Sequence, residues 1–267
     1  RPVLVSELIG AARENVRVTA RPSLPESIWS ELTGTVAVVD LEAACALYSF
    51  DSLPFPLGRS RPVGSVWLAT RNVRPIDERL KDELHGVRAW VETLVRSDFC
   101  VECRVRLSAE DTPDLRMHGL RSGESAFVAV QGSDRGVDIV DLYAVSPEMM
   151  GPAIVESVGL VGAGAHPRIA VTASGESSPD ASHESDLDFL APPPSDVTVP
   201  RVGIRDVVAT GTVQVRGGSD VSVLQWVQIR DDGDYVFDSG DAENAEPVDV
   251  ETLTAYLNGM IADVTRW

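Results

Sequence analysis

The stretch SAFVAVQGSDRGVDIVDLYAV, residues 125–145, alternates apolar and polar side chains on both sides of a Gly-Ser-Asp-Arg-Gly cluster. A period of two belongs to a strand with one face on a core, and the cluster supplies the small and polar residues of a tight turn. The stretch therefore reads as a β-hairpin. A second phrase of the same kind, VLQWVQIRDDGDYVF at 223–237, turns at Asp-Asp-Gly-Asp. FCVECRVRL (99–107) precedes the first phrase and VVATGTVQV (207–215) the second. A helix signal follows each. After the first, Ser146 stands at a cap, with Pro147 and Glu148 in the opening turn of MMGPAIVESVG. After the second, VDVETLTAYLNGMIADV (248–264) places Val250, Leu253, Leu257, Met260, Ile261 and Val264 on one side. The chain thus reads as two copies of a βββα unit. Each copy alone has an open sheet edge and one naked face. The predicted fold is α+β: two quasi-symmetric halves forming one central, mostly antiparallel sheet flanked by helices.

Working outward, residues 1–35 form an extension with breaks at Pro22 and Pro25 and one short helix candidate, ESIWSEL at 26–32. The first half spans 36–171. Asp40 is the expected N-cap of DLEAACALYSF, whose Leu41, Ala44, Cys45 and Tyr48 share a helical face. After the Pro-rich LPFPLGRSRP, one longer helix is predicted at about 75–97, with Ile76, Leu80, Leu84, Val87, Val91, Leu94 and Val95 recurring every three or four residues. Residues 172–196, rich in Ser, Pro and acids, read as a linker that buries little apolar surface. Residues 197–267 form a second, shortened half.

Composition limits what the protein can do. With 267 residues and 43% apolar content the chain can bury one large core or two small ones. A net charge of -18 repels phosphate backbones, so nucleic acid and anionic membranes are poor partners. No apolar run is long enough to insert in a membrane, and Glu7, Arg13 and Glu14 interrupt the stretch where a signal peptide would be apolar. Three cysteines, Cys45, Cys100 and Cys103, are too few for a disulfide framework. The expected location is the cytoplasm.

No motif demands catalysis. Cys100 and Cys103 spell C-x-x-C inside an alternating strand, where residues three apart face opposite ways, and no second pair completes a metal site. His85, His118, His166 and His183 are scattered through a helix, a loop, a Gly-rich turn and the linker. RDDGDY at 230–235 lacks the Glu that would close a calcium loop. GLVGAGAHP at 159–167 follows a helix rather than joining a strand to one, the wrong context for a dinucleotide, and reads as a helix terminator. Asp138, Asp141, Glu148 and Glu156 read as solvated acids in a chain with 41 of them. No cofactor and no metal are expected. A large sheet without a site acts through its surface.

The order of these phrases resembles the EspG family, secretion-associated proteins of the ESX (type VII) systems of mycobacteria and their relatives. The likeness is carried by VVDLEAACALYSFDSLPFPL (38–57), LVRSDFCVECRVRL (94–107), GESAFVAVQGSDRGVDIVDLYAVSPEMMGPAIVESV (123–158) and VLQWVQIRDDGDYVFDSGD (223–241). The resemblance implies a non-catalytic cytosolic chaperone or adaptor that binds PE/PPE-like helical secretion substrates and keeps their aggregation-prone tips covered. It further implies that the hairpin loop Gln131, Gly132, Ser133, Asp134, Arg135 and Gly136 contributes to the partner surface, together with helical parts of the second half. The chain departs from the pattern after Val197–Pro200, where the family carries a helical segment and VGIRDVVATGTVQV runs almost directly into a strand. Two other readings stay open. One is a self-associating scaffold, so the chain is a monomer or a homodimer; the other is an enzyme built from scattered residues such as His118 and nearby acids.

Overall fold

The computed structural model describes residues 30–60, 74–109, 112–134, 136–172, 199–238 and 241–265. In chain order the elements begin β1 (Ser30–Ala37), α1 (Val38–Leu47), α2 (Ile76–Asp82), α3 (His85–Val95) and β2 (Phe99–Leu107). They continue β3 (Leu115–Ser122), β4 (Ser125–Asp134), β5 (Val137–Val145), a 3-10 turn at Pro147–Met149, and α4 (Met150–Ser157). Then come β6 (Ile169–Thr172), β7 (Arg201–Gly203), β8 (Val207–Gly217), β9 (Asp220–Ile229), β10 (Gly233–Asp238), β11 (Asp241–Pro247) and α5 (Val250–Val264). The fold class is α+β, mostly antiparallel sheet flanked by helices, as the period-two phrases predict. The described residues fall into two compact units, one within 1–98 and 115–157, the other within 99–114 and 158–267.

Both repeats carry one strand more than their pattern predicts. Strand β3 was expected to be loop, because Met117, His118, Gly119 and Leu120 are buried on both faces and the alternation disappears. Strand β11, DAENAEP, is poor in β-formers and exists because its backbone pairs with β10 and β6.

In the first unit the strand order is β1-β5-β4-β3, all antiparallel. Strand β1 corrects the helix expected at 26–32. Ser30, Glu31 and Leu32 pair with Val145, Ala144 and Tyr143, so cross-strand pairing overrides local helical propensity. Residues 1–29, the rest of that extension, lie outside the described residues. Asp40 is not the cap of α1. The helix starts at Val38, and Asp40 sits in its first turn, where the helix dipole favours a carboxylate and Arg79 Nη1 pairs with it at 2.8 Å. The single helix expected at 75–97 is two. The amides of Glu83 and Leu84 both donate to the Arg79 carbonyl and end α2. Leu80, Leu84 and Val87 keep helical spacing across that turn, which is why the periodicity does not reveal it.

Helix α3 buries Val87, Trp90 and Val91. Trp90 meets the ring of His118 edge-on, centroids 6.0 Å apart. Helix α4 packs on the opposite face of β3, where the space above Gly119 is filled by Met150 and Ile154. In the second unit the order is β2-β8-β9-β10-β11-β6-β7, antiparallel except for the parallel pair β6–β7. Its core includes Ile169, Val207, Val227, Ile229, Tyr235 and Ala245. Asp249 caps α5, its side chain accepting from the Thr252 amide at 2.8 Å. The linker expected at 172–196 lies outside the described residues apart from Thr172.

His118 is 1% exposed, and its Nδ1 has no hydrogen-bond partner among the described residues. Desolvation pushes its pKa down to about 4. A group whose folded pKa lies below its unfolded value supports the fold fully above the unfolded pKa and costs stability as pH falls towards the folded one. Stability is therefore expected to drop by up to about 3 kcal/mol through this residue as pH falls from 6.5 to about 4. Denaturant titrations of wild type and His118→Gln across that range check it, the variant giving the flatter profile.

Candidate functional site

The hairpin that the resemblance singled out is braced from one side. Gln131 Oε1 accepts from the Gly58 amide at 2.9 Å, and its Nε2 donates to the Gly58 carbonyl at 2.6 Å. Arg116 Nη1 donates to the same carbonyl at 3.2 Å. Farther along, Asp138 Oδ2 accepts from the Ser60 amide at 2.8 Å. The Pro-rich segment thus lies along β4 and β5 instead of passing by as a plain connection. Gln131 is 4% exposed and its amide group is engaged by Gly58. Gly132, Ser133 and Asp134 continue the ladder opposite Ile139, Asp138 and Val137. Asp134 and Gly136 are exposed, Gly136 with a φ of 81° that glycine adopts without strain, and Arg135 lies outside the described residues. The brace had one signal in the sequence: a glutamine at the end of a strand otherwise buried from Ala126 to Val130. Gln131→Ala removes both bonds to Gly58, leaving its half-buried amide without that partner and its carbonyl with Arg116 alone, and is expected to cost about 1–3 kcal/mol, read from chemical denaturation.

Two motifs that look unrelated in sequence meet in the second unit. The carboxylate of Asp234, fully buried, accepts from the amides of Val161 at 2.6 Å and Gly162 at 3.0 Å and from Gln228 Nε2 at 3.2 Å. Asp232 Oδ1 accepts from the Ala165 amide at 2.8 Å. The Tyr235 hydroxyl donates to Asp232 Oδ2 at 2.7 Å and accepts from the His166 amide at 3.0 Å. The RDDGDY turn is therefore the anchor of the GLVGAGAHP loop. Its acids bind backbone amides, which neither a calcium loop nor a pyrophosphate cradle would leave to them. Burial pushes the Asp234 pKa up while the amides hold it down. A Cβ on Gly164 would stand 1.9 Å from Tyr235 Cζ, so this glycine answers to a close approach. Gly164→Ala is expected to cost about 2–4 kcal/mol in thermal or chemical unfolding, because the ring or the loop must move.

A groove of about 550 Å³ opens in the same unit at one end of β9. Its lining includes Val223, Leu224, Val236, Phe237 and, from α5, Tyr256 and Met260, with Glu246 at its edge. Val221, Val223 and Tyr256 are about half exposed: 50%, 46% and 46%. Glu246 is ion-paired with Arg168 at 2.7 Å.

Cys100 and Cys103 occupy opposite faces of β2, and burial pushes their thiols up to about 11 and about 12, away from reactivity. His118 is a buried strand residue, not a loop residue. Asp138 holds Ser60 and Asp141 accepts from Thr35, while Glu148 and Glu156 are exposed on the turn and helix after β5.

The sequence of the chain is matched by a family model. The model for the EspG family covers residues 37–258. The chain belongs to the EspG family. No curated protein matches it. Among solved structures, this EspG chain is similar to the Mycobacterium tuberculosis type VII secretion system chaperone EspG5, solved in complex with a PE25-PPE41 dimer. The two share 13% identity over 86% of this chain and 96% of the other, with a TM-score of 0.50. At that identity the likeness is one of fold. In this EspG chain the matched span runs from the last residue of β1 into α5 and takes in the braced hairpin and the anchored loop.

Proposed function

We propose that this protein is a non-catalytic chaperone of a type VII secretion system, binding PE/PPE-like helical substrates in the cytoplasm and keeping them soluble. The observation that supports the reading is family membership across 37–258, joined to a fold shared with a chaperone solved on its helical partner. The physical requirements of the task agree with it. An apolar helix tip aggregates unless a rigid, hydrogen-bonding surface covers it, and that cover needs no nucleophile. A hairpin braced at Gln131 and Asp138 is rigid before it meets a partner, which lowers the entropy lost on binding. The net charge of -18 keeps the complex apart from nucleic acid and from its own copies. The contact residues assigned to this surface are those of the hairpin loop, Gln131–Gly136, with Gln131 acting as its support.

Co-expression with PE–PPE pairs, the PE25-PPE41 dimer among them, followed by size-exclusion chromatography with light scattering, tests the reading. A stable complex is expected. Replacing Ser133, Asp134 and Arg135 by Gly should weaken it at least about tenfold, near 1.4 kcal/mol, with the unfolding temperature unchanged. A chain that binds no candidate and runs alone as a tight dimer overturns the proposal in favour of a self-associating scaffold.

A further inference from the structure

The repeat gives β9 and β10 the places that β3 and β4 hold in the first half. Residues 116–122 of β3 each have a partner on β4. On β9, pairing with β10 covers Trp226 to Ile229 and stops. Strand β10 has six residues where β4 has ten, and its pairing with β11 shifts register between Phe237 and Asp238. Val221 to Gln225 pair with β8 on one side and, among the described residues, with no strand on the other. This open edge is uncharged, VSVLQ, and carries none of the Lys or Pro guards that keep sheet edges from pairing. The groove described above runs beside it, with Val236, Phe237, Tyr256 and Met260 as walls.

We propose that the β9 edge, Val221–Gln225, is a docking site for an extended peptide segment of a partner, which adds to the sheet as a strand. Three features define that segment. Its backbone must be extended and free of proline, because the edge offers a row of amides and carbonyls. Side chains on the face that looks into the groove are apolar, to meet Val236, Tyr256 and Met260. Its flanks are basic. The arginines Arg168 and Arg216 are ion-paired with Glu246 and Glu102, whereas Asp220 directly precedes the edge residue Val221, and Asp249 and Glu251 stand exposed at the start of α5, the helix that carries Tyr256 and Met260. The proposal uses none of the residues of the 131–136 hairpin and does not depend on the chaperone reading.

The test uses the full chain and short synthetic peptides of alternating Val and Thr, flanked either by Arg or by Glu, with affinity read by calorimetry and amide exchange followed at Val221–Gln225. The Arg-flanked peptide is expected to bind and to slow exchange at those amides. Backbone N-methylation of the peptide should weaken it at least about tenfold, since it removes the pairing donors and leaves the protein untouched. Tyr256→Ala, an exposed position whose loss leaves the fold intact, should weaken it severalfold. No binding, equal binding of the N-methylated or Glu-flanked peptide, or exchange unchanged at the β9 edge overturns the proposal. So does a homodimer of the chain alone that Val223→Arg dissociates, because the edge would then be occupied by a second copy.

Discussion

Every backbone amide and carbonyl taken out of water must find a partner, and in this protein the long antiparallel ladders meet that demand. Strand β8 is paired along its length with β2 on one side and β9 on the other. Strand β4 is held between β3 and β5 in the same way. Helices then need only lay an apolar stripe over a surface already satisfied, as α3 does with Val87, Trp90 and Val91. The same demand marks the places where the molecule is unfinished. At the end of β9 the ladder stops before the strand does, and at the tip of the β4–β5 hairpin it turns back into solvent.

Buried polar side chains handle what the ladders leave over. Gln131 spends both ends of its amide on Gly58, and Asp234 spends its carboxylate on two loop amides and a glutamine. Each buries a polar group with its partners supplied, so desolvation is offset and the loop gains a fixed position. His118 and Trp90 are the contrast. Both bury a ring nitrogen without a partner among the described residues, and the shape of the packing is what they contribute.

The cysteines are driven towards the neutral thiol by burial, and Asp138, Asp141 and Asp234 are engaged with Ser60, Thr35 and backbone amides, while Glu148 and Glu156 stay exposed. Among the exposed apolar residues, Val221, Val223 and Tyr256 lie together around the groove beside β9, and the tip of the β4–β5 hairpin is polar.

By itself the sequence determined the α+β class, the two hairpins, the terminal helix and the family likeness, because period-two alternation and Asp-Gly or Ser-Asp-Arg-Gly turns are local signals. Strand Val137–Val145 is read from its alternation with the bounds the structure gives it. Other elements depend on partners distant in the chain. Strand β1 replaces a helix candidate because β5 offers it a ladder, and β11 is a strand in spite of its acids because β10 and β6 lie beside it. Strand β3, buried on both faces, has no alternation to read. The brace at Gln131, the union of the GAGAHP and DDGDY segments, and the open β9 edge lie in the tertiary structure alone. A glutamine does not announce its glycine across 73 residues, nor a strand the length of its neighbour.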